Sequence, residues 1–211
     1  MNRQQHWETV YGNKASDAVS WYRPHLDHSL RVIERVAPDR GTAILDVGGG
    51  ASTLVDDLLS AGYRDLSVLD ISAQALDVAR RRLGERAHSA TWLAADLLDA
   101  PLPAARYQLW HDRAVFHFLI QPKQQARYVA QLNHAIRPGG YAAMATFGPE
   151  GPMKCSGLDA MRYDADGLAR VLGSDWALLD SELAMHATPS GTSQQFLHAL
   201  FQRRSDGAQA R

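Results

Sequence analysis

The chain has 211 residues, 45% of them apolar, which is enough to bury one core. Its 22 Lys and Arg stand against 23 Asp and Glu, so the basic footprint of a nucleic-acid binder is excluded. One Cys, Cys155, excludes an internal disulfide and a Cys-rich zinc module. The opening MNRQQHWETV lacks a signal peptide's apolar stretch, and no apolar run approaches the roughly 18–20 residues of a membrane span. The expectation is a cytoplasmic protein without nucleic-acid or membrane partners.

Residues 1–40 carry helical patterns and the aromatics Trp7, Tyr11, Trp21 and Tyr22. They are expected to cap the carboxyl edge of a sheet. Thr42–Val47 is a short apolar run ending in glycines, read as a buried parallel strand. Ser52 can cap a helix with Leu54, Val55, Leu58 and Leu59 on one face and Gly62 past its end. Leu66–Ile71 is the second strand. Ser72 caps the next helix, where Leu76, Ala79 and Leu83 share a face before Gly84. Ala90–Ala95 is the third strand, followed by Asp96. Tyr107–Trp110 is the fourth, followed by His111-Asp112-Arg113. Pro122 suits a first helical turn; Val129, Leu132 and Ile136 form its stripe, and Arg137-Pro138-Gly139-Gly140 ends it. Tyr141–Phe147 is the fifth strand. Asp164 opens a short helix with Leu168, Val171 and Leu172 inward. Trp176–His186 and Gln195–Gln202 read as a terminal hairpin around the turn residues at 188–193.

This alternation predicts an α/β fold: a doubly wound, mixed, seven-stranded Rossmann-like sheet whose last hairpin is antiparallel. One domain is expected over 1–203, with a flexible tail at 204–211.

Asp46-Val47-Gly48-Gly49-Gly50-Ala51-Ser52 joins the first strand to its helix. Glycines there allow a tight turn and close approach of a ligand to the backbone. Asp70 ends the second strand, where a carboxylate can accept both hydroxyls of a ribose. Asp96 ends the third, where an adenine amino group can donate to it. Ligands of open α/β sheets bind in the crevice at these strand ends. A tight turn beside solvated loop acids is the plainer alternative.

The stretch resembles motif I of class I S-adenosylmethionine-dependent methyltransferases, acid-x-Gly-x-Gly, and the likeness extends over nearly the whole chain. The resemblance implies S-adenosyl-L-methionine as cofactor. It implies that Gly48, Gly49 and Gly50 line its methionine part, Asp70 and Ile71 hold the ribose, Asp96 and Leu97 flank the adenine, and His111 lies near the methionine end. The third glycine of the motif is replaced by Ser52, a form similar to that of methyltransferase-like lysine enzymes. A nicotinamide dinucleotide fits less well: Thr53 stands where its last glycine belongs, and Asp46 is a poor neighbour for pyrophosphate but a good one for a cationic amino acid.

For the acceptor, the unusual stretch is Trp110 to Phe118. His117 is the candidate for acceptor contact or general base, against a structural histidine beside the cleft. Asp112 and Arg113 either bind substrate or form a local ion pair at a helix start; the segment looks like its counterpart in thiopurine-type enzymes. The N-terminal stretch is similar to the segment that closes over the cofactor in both subgroups, so Trp7, Tyr11, Trp21 and Tyr22 can cover it, with ordinary aromatic packing as the alternative. The long loop after the fifth strand suggests a lid, and Lys154, Arg162 and Tyr163 can meet an anionic group. Cys155 is not expected to act as a nucleophile. No His and carboxylate spacing suggests a metal. Arg80-Arg81-Arg82 reads as a solvated face.

Three functions follow in order: a methyltransferase acting on a small molecule, as monomer or homodimer; a protein lysine methyltransferase; and a non-catalytic nucleotide-binding module.

Overall fold

The computed structural model describes residues 2–13 and 19–205. The tail expected over 204–211 lies, from 206 on, outside them. The helices are α1 (Arg3–Asn13), α2 (Asp27–Val36), α3 (Leu54–Ser60), α4 (Ala73–Leu83), α5 (Pro122–Ala135) and α6 (Ala165–Leu172). The strands are β1 (Ile44–Val47), β2 (Leu66–Asp70), β3 (Ala90–Ala94), β4 (Tyr107–Arg113), β5 (Ile136–Phe147), β6 (Lys154–Cys155), β7 (Leu158–Asp159), β8 (Trp176–Ala187) and β9 (Ser193–Arg203).

Seven strands form one sheet in the order β3-β2-β1-β4-β5-β9-β8. β1 pairs in parallel with both β2 and β4, and β9 runs antiparallel to β5 and β8. The expected mixed sheet with an antiparallel terminal hairpin is therefore present. The chain turns back between β1 and β4, so the crevice lies at their carboxyl ends.

Both faces of the sheet are covered. Ile33, Leu54, Leu58, Tyr63 and Leu76 pack beneath α2, α3 and α4. Trp110, Tyr128, Leu132, Leu168 and Phe201 pack on the other face against α5 and α6. Ser72 accepts from the Ala75 N–H and Asp164 from the Gly167 N–H, as N-caps do. Ser52 accepts from the Leu54 N–H, but α3 starts one residue further on than that cap implies.

Three features differ from the sequence reading. β4 runs on through His111-Asp112-Arg113, three residues beyond the Tyr107–Trp110 expected. Ile136 is extended and begins β5 rather than closing the α5 stripe. The long loop after β5 folds back as the small β6–β7 hairpin. Arg80, Arg81 and Arg82 are exposed, as expected of a solvated face, and Arg82 also bridges to Asp56 at 2.6 Å and donates to the carbonyls of Ala51 and Ser52, tying α4 to the glycine loop.

Candidate active site

A pocket opens over the carboxyl ends of β1, β2 and β4. Its floor is the glycine turn. Gly48 has φ +64°, and a Cβ there would collide with the Val115 side chain. Gly50 has φ +35°, and a Cβ would sit 2.6 Å from Asp70 Oδ2. A side chain at Gly49 would strike the Asp46 carboxylate. The turn is thus closed to larger residues by both backbone and packing.

Asp46 and His111 are opposite each other in the β1–β4 register. His111 Nδ1 lies 2.7 Å from Asp46 Oδ1, and its Nε2 lies 2.9 Å from Ser29 Oγ of α2. Both residues are buried. The other oxygen, Asp46 Oδ2, is buried with no hydrogen-bond partner among the described residues. A buried carboxylate oxygen facing a pocket without a partner calls for a cationic donor.

Asp70 closes β2. Its Oδ1 accepts from the Ser72 N–H at 2.8 Å. Burial pushes its carboxyl up to about 7, the nearby Asp46 and Glu8 adding to the rise against the N–H groups of Ser72 and Ile71. Asp96 reaches the pocket from the turn after β3. Its Oδ1 accepts from the Leu98 N–H, and its Oδ2 from Arg3 of α1 at 2.7 Å.

α1 forms the roof. Trp7 and Tyr11 line the pocket with Trp21 and Phe118, and the Trp7–Phe118 rings meet edge-on at 5.2 Å. No α1 residue is fully buried, so the helix is held by its ends and its aromatics. Glu8 accepts from Ser72 Oγ (2.9 Å), the Ala73 N–H (2.9 Å) and the Gln74 N–H (3.3 Å), an added carboxylate at the start of α4.

Of the residues expected at the cofactor, Trp21, Asp46, Gly48, Gly49, Asp70, Ile71, Asp96, Leu97 and His111 line this pocket. Gly50 stands behind it, against Asp70 and Ala75. Cys155 joins the lining from β6, although no role was expected of it. The reading missed Arg3 and Glu8, which lie in a polar helix far in sequence from their partners.

The catalytic expectations fare differently, because consecutive strand residues point to opposite faces. Asp112 turns away from the pocket into the α5 face. It accepts from the Tyr128 hydroxyl at 2.6 Å and from the N–H groups of Val115 and Phe116. Tyr128 in turn accepts from Trp110 Nε1 at 2.8 Å. Asp112 is therefore a buried brace of the β4 exit, not a substrate contact, and makes no ion pair with Arg113 among the described residues. Its carboxyl is pushed up to about 6 by burial.

His117 is also corrected. It is fully buried, stacks on Phe147 at 4.3 Å and does not line the pocket. Its Nδ1 accepts from the Phe147 N–H, which places the proton of the neutral ring on Nε2. Burial, with Arg113 nearby, brings it down to about 3, which favours the neutral ring. Arg113 alone of the three reaches the pocket.

The three residues expected to meet an anionic group lie outside the pocket. Lys154 pairs with Asp159 at 3.0 Å, and Tyr163 is buried beneath Phe116. Arg162 continues the chain beside Phe147 and, like these two, lies outside the pocket lining.

A doubly wound sheet with a glycine turn and a carboxylate at the end of each of its first three strands is an arrangement in which open α/β proteins bind nucleoside ligands. Residues 44–140 match the methyltransferase domain family. The mouse (Mus musculus) eEF1A lysine and N-terminal methyltransferase is 23% identical over 141 residues, 64% of this chain and 20% of that protein. The chain spans about a fifth of the length of the first curated relatives it matches. The malonyl-[acyl-carrier protein] O-methyltransferase of Halalkalibacterium halodurans is 28% identical over 210 residues, 87% of this chain and 75% of that protein. Among solved structures, the N-methyltransferase NodS of Bradyrhizobium japonicum WM9, in complex with S-adenosyl-L-homocysteine, superposes with a TM-score of 0.72 at 15% identity, covering 96% of this chain and 99% of that one. Residues 44–140 thus form a methyltransferase domain, carried on the class I S-adenosylmethionine-dependent methyltransferase fold. The family's cofactor fits the residues present: the unpartnered Asp46 oxygen suits its cationic amino acid part, and Asp70 its ribose.

Proposed function

We propose that the protein methylates a small-molecule acceptor by direct displacement. The observation that carries methyl transfer is the orphan Asp46 Oδ2, set in a pocket that Asp70 and Asp96 also line. S-adenosylmethionine would supply a methyl group on a sulfonium: the acceptor's lone pair bonds to that carbon while the carbon–sulfur bond breaks, its electrons staying on sulfur as a neutral thioether. No leaving anion needs stabilising, so this chain's residues contribute mainly alignment and exclusion of water.

Asp46, braced by His111 and Ser29, holds the ammonium end. Asp70 and Ile71 hold the ribose, and Asp96 with Leu97 the adenine. Gly48 and Gly49 let the backbone approach. Trp7, Tyr11 and Trp21 roof the site against water and offer aromatic faces to a positive charge. Arg113 stands at the acceptor side. Asp112 and His117 shape the wall and hold no proton that the reaction uses.

The small-molecule reading is supported by the lack of a basic surface excess and by the breadth of the Halalkalibacterium match. The eEF1A methyltransferase relatives favour a second reading, a protein amine acceptor. The test is a labelled-methyl assay on fractionated small metabolites beside bulk protein. Label in a metabolite fraction is the expected result; label confined to protein would overturn the small-molecule reading.

A further inference from the structure

Beside the cofactor pocket lies a second cavity, between the start of α2 and the β8–β9 hairpin. Arg113 lines both. Its guanidinium donates to the Trp21 carbonyl at 2.7 Å and meets no carboxylate within ion-pair distance among the described residues. Burial and repulsion from Arg23 bring it down to about 10, so it stays charged at neutral pH. Asp46 attracts it, yet one Asp46 oxygen is bonded to His111. Arg23 and Arg31 line the same cavity, again without ion pairs among the described residues.

Arg23 and Arg31 are exposed and solvated, so the costly charge is that of the half-buried Arg113, which an anion in the cavity would offset with Arg23 and Arg31 beside it. The acids of the rim do not offset that charge: Glu182 faces His28 at 3.7 Å, and Asp27 is exposed in the first turn of α2. His25 on the exposed rim lies 2.8 Å from Asp57, which pushes its imidazole up. His28, His186 and His198 are each held neutral by burial. His186 Nε2 donates to the Ser20 carbonyl at 2.7 Å, which leaves Nδ1 a buried acceptor without a partner among the described residues. The cavity thus presents cationic donors from Arg113, Arg23 and Arg31 and one imidazole acceptor at its wall.

Resting on the methyl-transfer reading, we infer that this cavity is the acceptor subsite and that it selects an oxyanionic small molecule, its carboxylate or phosphate held by Arg113 and Arg23 and an N–H or O–H group donated to His186. Arg113 is the residue common to the cofactor pocket and this subsite, so it is also the group that ties acceptor binding to the reaction.

The test is calorimetric. The protein saturated with S-adenosylhomocysteine is titrated with malonate and, separately, with inorganic phosphate, each at low and at high salt. Saturable binding that weakens with salt is expected for at least one of them. Arg23→Gln weakens it about fivefold to tenfold, as loss of one charge-assisted contact does. The same variant keeps its affinity for S-adenosylhomocysteine within about twofold, since Arg23 does not line that pocket. No saturable oxyanion binding, or binding indifferent to both Arg23→Gln and Arg113→Gln, in protein that still binds S-adenosylhomocysteine, overturns the subsite and leaves the cofactor reading standing. Failure to bind S-adenosylhomocysteine removes the reading beneath it, and the inference with it. In a second arm, small metabolites are separated on an anion exchanger before the labelled-methyl assay. Label in the retained pool supports the subsite, and label only in the unretained pool overturns it.

Discussion

Asp70 concentrates the chemistry of the cofactor pocket in one carboxyl group. Burial holds it up at about 7, well above its unfolded value. A raised acid stabilises the fold while protonated; this contribution is full below the unfolded value and is lost as pH rises through about 7. Hydroxyl donors need the opposite form, because only the carboxylate accepts two hydrogen bonds at once. The cofactor-free protein is therefore expected to lose stability between about pH 4 and 7, while affinity for S-adenosylhomocysteine rises over the upper part of that range. Asp70→Asn separates the two effects. It makes the empty protein more stable at pH 8, weakens S-adenosylhomocysteine by about 1–3 kcal/mol and flattens its pH dependence. Melting curves and calorimetry at a series of pH values measure both quantities, and an unchanged affinity would remove Asp70 from the ribose.

At the scale of the element, α1 is the least self-sufficient part. It buries none of its residues fully, so two carboxylate contacts decide where it lies: Arg3 to Asp96, and Glu8 to the start of α4. Glu8→Ala deletes the acceptor of three donors, while α4 keeps its own cap at Ser72. The expected effect is faster amide exchange across Arg3–Asn13, by about tenfold for a loss of ~1.4 kcal/mol, with α4 protection retained. Affinity for S-adenosylhomocysteine falls a few-fold in parallel as the roof loosens. Equal exchange in both proteins would show that the aromatics alone dock the helix. This latch was invisible in the sequence, for it joins residues more than sixty positions apart and neither belongs to a pattern. The strands and the glycine turn were legible because their apolar runs and φ requirements are local. β4 was cut short because His111, Asp112 and Arg113 look solvated as a run. Alternation sends Asp112 to Tyr128 and His111 to Asp46, partners that no spacing reveals. The burial of His117 is likewise not local: Phe147 of β5 stacks on it and Arg113 of β4 stands nearby.

For the molecule as a whole, the pocket is a joint. It is walled by α1, by the ends of β1, β2 and β4, by the turn after β3 and by Cys155 of β6, pieces spread over most of the chain. A ligand that fills it binds the folded arrangement and not the unfolded chain, so its binding energy adds to global stability. At a hundred times its dissociation constant, S-adenosylhomocysteine should add about 2.7 kcal/mol. For a chain of 211 residues that corresponds to a rise in melting temperature of about 5–10 °C. NAD at equal concentration should give no shift, since the Asp46 carboxylate faces the turn where a pyrophosphate would need to sit. The shift should also shrink in Asp46→Asn, which replaces the charged oxygen left without a partner by a neutral amide. A shift with NAD equal to that with S-adenosylhomocysteine would mean that the crevice reads only adenosine, and that the charge at Asp46 does not choose between the two ligands.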